Sequence, residues 1–398
     1  MKKLLNAYIY LLPFLIAFNY LGEFRVHAIP INSQIPTELI KSTGIFLPLF
    51  LGSLFGNILA LESWLTHRKP VHISSWICIM VSLSWLWGFS VSIFKMTDLN
   101  YILSNFNFLS LFGIYNFMVF GLKPTENVKF IKIILKLNAY CFSAFVIGAI
   151  SILMLLTDLD FALIISDLYT PMFYVAIPSF VVMLISPNTI SWSKSFRITF
   201  SLCFILAYIG YISSVTYSII MILLILYMLP HFFTRRSRPL LLALVTVILL
   251  VASCFSLVYV DVSSFAFLEN DPRLEQIGLI TKEFNLLGHG LGAGFADVEP
   301  RGGLPYSIEL IYLNLVHKLG IFVVPLFAFY INTLYKLFTE LKSIYIAKSR
   351  SDLNVPLAAS FMLPFIIAGL FNPSGSTQMA PVYICTGLYI LNTKAFAN

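Results

Sequence analysis

Gly288-His289-Gly290-Leu291-Gly292-Ala293-Gly294 sets four glycines at alternate positions. Glycine lets a backbone approach a ligand closely and turn its N–H groups towards an anion such as a phosphate. The same run also reads as a flexible turn. It is not a dinucleotide-binding fingerprint, because that motif needs a strand before it and a helix after it in a βαβ unit. Upstream, in Asn270-Asp271-Pro272-Arg273, Arg273 offers a guanidinium that grips phosphate through two parallel N–H bonds and never deprotonates. An ion pair with Asp271, Glu269 or Glu275 is the plainer use for it. Arg301, in Glu299-Pro300-Arg301-Gly302-Gly303, is a second guanidinium with a plain surface role as its alternative. Glu309 enters a Leu/Tyr-rich stretch that runs through His317 and Lys318 to Gly320. Ionisable groups at membrane depth are functional suspects by default, although a helix dipole also favours a carboxylate at a helix start. His317 and Lys318 read as interfacial residues.

These residues need a scaffold, and composition defines it. Of 398 residues, 59% are hydrophobic and 11% charged, with 37 Phe and 20 Tyr. An ordinary soluble domain has roughly 45–50% apolar and about 25% charged residues. The chain is therefore expected to be an all-α polytopic membrane protein. A soluble enzyme, a nucleic-acid-binding domain and a disordered chain are excluded. A β-barrel is disfavoured, because its strands alternate apolar and polar residues, whereas this chain has unbroken apolar runs. The five cysteines, Cys78, Cys141, Cys203, Cys254 and Cys385, lie in apolar runs without CxxC spacing and read as free thiols.

The pattern predicts twelve transmembrane helices at 4–21, 44–61, 73–94, 104–122, 136–157, 171–186, 198–212, 214–230, 239–260, 307–335, 356–371 and 379–393. The apolar stretch 198–230 is divided at Gly210/Ser213/Ser214 into a tight hairpin. The 307–335 segment is either one long span or a half-helix before a shorter span at 319–335; the second is preferred because it spares Lys318 deep burial. With both termini cytoplasmic, 18 of 25 basic residues fall inside and 14 of 18 acids outside, as the positive-inside rule requires. The N-terminal run after Lys2 and Lys3 reads as an uncleaved first span. The whole chain, 1–398, is then a single membrane domain. One outer loop, 261–306 between helices 9 and 10, is far longer than the rest and collects the polar chemistry.

The order of these features resembles the O-antigen polymerase (Wzy) and O-antigen ligase superfamily of bacterial envelope enzymes. Arg273 in an outer loop is followed by Leu287-Gly288-His289-Gly290-Leu291-Gly292. A polar residue then opens a helix that closes at Leu319-Gly320-Ile321-Phe322, and Phe371-Asn372-Pro373-Ser374 comes near the end. Ser213-Ser214-Val215-Thr216 sits where members often carry a Ser-Arg-Thr-like patch, though without the arginine. The resemblance implies a metal-independent, inverting glycosyltransferase without cofactor in the bacterial inner membrane. Its donor and acceptor would be undecaprenyl-diphosphate-linked glycans, and a polysaccharide chain-length regulator is an expected partner. Nucleic acid is not. Many members place a histidine where this chain has Glu309, a departure that leans towards polymerase over ligase. A departing diphosphate needs fixed positive charge. Arg273, with Arg301 and the N–H groups of Gly288, Gly290 and Gly292, is the expected source. Glu309 is the first candidate for the base that takes the acceptor proton, and His289 the second.

Two other classes compete. A metal-dependent lipid-phosphate-sugar glycosyltransferase would use paired outer acids such as Asp158-Leu159-Asp160. A flippase for lipid-linked repeat units suits twelve spans, but the halves show no repeat, and transporters tend to carry polar residues at the midplane of their spans.

Overall fold

The computed structural model describes residues 37–67, 70–95, 102, 106, 108–155, 161–210, 215–234, 272–294, 311–347, 353–371 and 379–396. Among them the chain is helical, without strands. Three stretches are long and apolar enough to cross a membrane: Ile73–Phe94, Pro124–Gly148 and Ile311–Tyr345. Large apolar side chains cover outward helix faces, including Leu51, Leu54 and Ile58 on the first helix, Leu83 and Leu86 on the second, and Ile331, Leu334 and Phe338 near the end. Such stripes suit lipid and would be a liability in water. The chain is a helical membrane protein.

Helix α1 (Thr37–Leu65) and α2 (Ile73–Phe94) lie against an irregular buried segment, α3 (Ser110–Gly121). Segment α3 begins as a 3-10 turn, passes through one α-turn and ends as a wide π-turn. The sequence predicts a plain helix over 104–122. Side chains from other elements bond to carbonyls of this segment, as they do where helices depart from regularity. Ser53 Oγ donates to Ser110 O at 2.5 Å, Cys385 Sγ to Phe112 O at 3.4 Å and Asn127 Nδ2 to Met118 O at 2.8 Å. A Cβ on Gly113 would stand 2.5 Å from Ser53 Oγ, so α1 and α3 meet backbone to backbone, as small residues permit in membrane interfaces. A polar chain crosses the same contact: Asn116 Nδ2 donates to Asn57 Oδ1 at 2.9 Å, and Asn57 Nδ2 to Ser82 Oγ at 2.5 Å.

Helix α4 (Pro124–Leu155) starts twelve residues before the predicted span at 136. Pro124 suits a first helical turn, and Glu126 Oε2 accepts from Lys123 N at 2.9 Å, half of a capping box. Lys129, Lys132 and Lys136 thus sit on a helix, where a loop was expected. Helices α5 (Phe161–Ile185), α6 (Lys194–Gly210) and α7 (Val215–Thr234) follow, and the apolar stretch 198–230 is indeed two helices. Phe142, Phe173, Phe180, Phe200 and Phe204 fill the α4–α5–α6 interface.

Helix α8 (Pro272–Lys282) lies in the predicted outer segment. It precedes α9 (Ile311–Leu319), a 3-10 turn at Gly320–Val323 and α10 (Val324–Ala347). The helix does break, at Gly320, where φ is 56°, but the break does not spare Lys318, which is buried. As one rod, Ile311–Ala347 would run about 55 Å at 1.5 Å per residue, far beyond a bilayer core of about 30 Å. Helices α11 (Asn354–Phe371) and α12 (Met379–Thr393) close the described core. Asn127 and Asn138 on α4 donate to Tyr389 and Tyr383 on α12. Predicted spans 4–21 and 239–260 lie outside the described residues.

The bundle has two distinct ends. At one, Lys336 Nζ donates to Ser74 Oγ at 2.8 Å and to Asn392 Oδ1 at 2.9 Å. At the other, Ser92 meets the glycine-rich run. Ser74 and Ser92 are eighteen residues apart on α2, about 27 Å along its axis.

Candidate functional site

The segment from Phe284 to Gly294 docks across α2 and the end of α9. A helix end leaves carbonyls without intrahelical donors, and the loop supplies donors to α9. His289 N donates to His317 O at 3.0 Å and Gly290 N to Lys318 O at 2.9 Å, while Ile321 N returns a bond to Leu286 O at 2.9 Å. On α2, Leu291 N donates to Gly88 O at 3.1 Å and Gly292 N to Ser92 Oγ at 3.1 Å. Trp87 Nε1 donates to Leu287 O at 2.7 Å, and the Trp87 ring stacks on Phe322 at 4.5 Å. Leu291 is buried over Gly88 and Leu319.

Two of the motif glycines are required by this docking. Gly288 has φ 79° and Gly290 φ 100°, backbone conformations that side chains oppose. A Cβ on Gly290 would also stand 2.6 Å from Ser92 Oγ and 2.9 Å from Ser92 N. Gly288 N donates to Asn285 O at 3.0 Å. All three expected anion donors, the N–H groups of Gly288, Gly290 and Gly292, are therefore occupied by acceptors of the protein itself. The amide cradle read from the alternate glycines is not what the fold builds; it builds a latch.

Above this latch the imidazoles of His289 and His317 stack, with centroids 4.3 Å apart and planes 18° from parallel. His289 Nδ1 lies 3.4 Å from Lys95 Nζ, and Nε2 lies 2.8 Å from Glu283 O. An ammonium has no acceptor and a carbonyl no proton, so the contacts assign His289 as the Nε2–H tautomer with Nδ1 accepting. The basic nitrogen of His289 thus already faces a cation. For His289 to act as the base, an acceptor hydroxyl would have to displace Lys95.

His317 and Lys318 are both buried at 1% exposure, where the sequence suggested an interfacial position. They occupy the last turn of α9, the end at which the helix dipole favours positive charge. One turn earlier, Asn314 is buried with its Oδ1 unbonded among the described residues. Lys95, His289, His317 and Lys318 meet at one corner; from Glu283, His289 meets the backbone carbonyl.

Arg273 belongs to α8, at register three before Gln276 and seven before Ile280, both of which are buried. These positions share one helix face. Arg301 and Glu309 lie outside the described residues, as do Ser213, Ser214, the Asp158–Asp160 pair and 372–374. Lys95 was missed by sequence reasoning, which offers no signal for a contact 194 residues away. Among the described residues no three His, Cys, Asp or Glu side chains are grouped to hold a metal ion. Comparison of the chain with known protein families, curated proteins and solved structures gives no match.

Proposed function

We propose that this chain is an inner-membrane polysaccharide polymerase with about twelve transmembrane helices and both termini in the cytoplasm. It joins undecaprenyl-diphosphate-linked repeat units on the periplasmic face by metal-independent glycosyl transfer. The observation that carries the reading is the corner of Lys95, His289, His317 and Lys318, joined to α8 and its Arg273 by the latched glycine run. A lipid diphosphate departs readily when its charge is held, and at this corner Lys95 brings an ammonium beside the long outer segment. Lys129, Lys132 and Lys136 on the first turns of α4, at the Lys336 end of the bundle, agree with a cytoplasmic face there.

In this reading Arg273 and Lys95 hold the diphosphate, with Arg301 as a further donor. Glu309 takes the acceptor proton, and His289 positions Lys95 through its Nδ1. The acceptor oxygen bonds to the anomeric carbon as the bond to the lipid diphosphate breaks. The test is reconstitution with a polyprenyl-diphosphate-linked repeat unit, read as a product ladder. Arg273→Ala is expected to lower the rate about 10²–10³-fold, the usual cost of one such donor. Undiminished ladders from Arg273→Ala at normal abundance refute the assignment. A deletion strain separates the alternatives: a polymerase leaves a one-repeat surface glycan, a flippase leaves none, and a ligase leaves polymer that is not attached to its acceptor.

A further inference from the structure

At the opposite end of the bundle, the first turns of α4 and the α5–α6 connection border an open cavity of about 540 Å³. Its α4 wall carries Lys129, Lys132 and Lys136. Their spacing, three and then four residues, sets the three ammonium groups on one helix face. The other wall offers Asn188, Thr189 and Ser191, and among the described residues no carboxylate lines the space. That wall is held in place. Thr189 N and Oγ1 both donate to Ser186, at 2.9 and 2.8 Å, and Ile190 and Trp192 anchor it in the core.

Beneath the lysines the surface turns apolar. Tyr140, 40% exposed, packs its ring 4.3 Å from Phe196 and lies under Lys136. Ile147 continues the same face of α4, and Ile198, Leu202 and Leu206 form an exposed strip on neighbouring α6. A cationic, hydroxyl-lined cavity above an exposed apolar surface matches a molecule with a phosphate head and hydrocarbon tails. A free phosphate would make no use of the apolar surface.

We propose that this cavity binds the phosphate headgroup of an anionic phospholipid, its acyl chains lying along Tyr140, Ile147 and the α6 strip. The site shares no lining residue with the corner around Lys95 and lies at the other end of the bundle, and serves the protein whether or not the polymerase reading holds.

The experiment is native mass spectrometry on the delipidated full-length protein, with phosphatidylglycerol and phosphatidylcholine in competition and inorganic phosphate in a separate arm. Phosphatidylglycerol is expected to win. Each lysine near an anionic headgroup contributes about fivefold in affinity, so Lys132→Gln with Lys136→Gln should cut the preference about twenty- to thirtyfold. Lys342→Gln, at the same end but outside the cavity, should leave it intact. Asn188→Asp adds a negative charge to the opposite wall without touching α4 and should also abolish the preference. Equal binding of the two lipids, or a preference unaffected by both the lysine pair and Asn188→Asp, overturns the proposal. Phosphatidylglycerol binding that inorganic phosphate displaces at comparable concentration assigns the site to a free anion and overturns the lipid assignment.

Discussion

If the glycine run is a latch, a methyl group at Gly290 should open it. Gly290 holds φ at 100°, and an alanine there carries left-handed strain of about 1–2 kcal/mol. Its Cβ would also meet Ser92 N at 2.9 Å and Ser92 Cα at 3.1 Å. These are backbone atoms of a membrane-spanning helix and cannot swing aside, so overpacking adds about 1–3 kcal/mol. The sum, about 2–5 kcal/mol, acts on docking of the segment, since α2 and α9 are held independently by the core. At 1.4 kcal/mol per tenfold, even the lower bound raises the detached population about thirtyfold. Trypsin reads that population. Lys282 ends α8 and Glu283 begins the docked segment, so cleavage after Lys282 requires both to loosen. When opening is fast compared with cutting, the cleavage rate follows the open population. Gly290→Ala in detergent should therefore be cut after Lys282 about thirtyfold faster than the parent or more. Gly278→Ala is the control: its Cβ meets nothing within 4 Å, and alanine stabilises a helix interior by about 0.5–1 kcal/mol, so cutting should slow slightly. Gly290→Ala protein of normal abundance, cut at the parental rate, would refute the latch.

Ser92→Ala tests the same docking more gently. It removes the acceptor of Gly292 N at a position with 0% exposure, which costs about 1–3 kcal/mol for a stranded buried amide; cleavage after Lys282 should accelerate about five- to hundredfold, and no change would contradict the bond. For the cysteines, Cys78 and Cys385 are fully buried while Cys141 is half-buried. In a Cys254→Ser background a maleimide should label Cys141 in the folded protein and reach Cys78 and Cys385 only after unfolding in dodecyl sulfate. Rapid labelling of Cys385 in the native state would mean that α12 is not a core helix.

Much of the scaffold is legible in the sequence because a membrane imposes sharp edges. Helix α2 matches its predicted span at both ends, 73–94, and so does α12 at 379–393. Each is bounded by polar residues that a bilayer excludes. Helix α4 shows the limit of that signal. Hydropathy marks where the apolar slab ends, whereas Pro124 and Glu126 mark where the helix begins, and the lysine-bearing turns lie between the two. Segment α3 was misread for a different reason. Its carbonyls are claimed by Ser53, Asn127 and Cys385, partners that local periodicity cannot reveal. The glycine run shows the same limit. The glycine run stands out as unusual, but the direction of its N–H groups depends on Ser92, 200 residues away from Gly292.

The direction of those groups changes where an anion could be held. A nest of free amides would present positive dipoles to a phosphate. Here the loop instead faces the C-terminal end of α9, whose carbonyls carry the negative pole of the helix, equivalent to about half an elementary charge. His289 N and Gly290 N cover two of those carbonyls, and the buried side chains of His317 and Lys318 occupy the same turn. The backbone at this corner therefore repels an anion or, once capped, is close to neutral to it. Any attraction must come from side chains, and Lys95 is the lysine that reaches the motif. It also separates two kinds of damage. Substituting a motif glycine should undock the segment and increase proteolysis together with any loss of polymer. Lys95→Gln should leave cleavage after Lys282 unchanged, because the latch bonds are made by backbone groups, Ser92 and Trp87, while charge at the corner is lost.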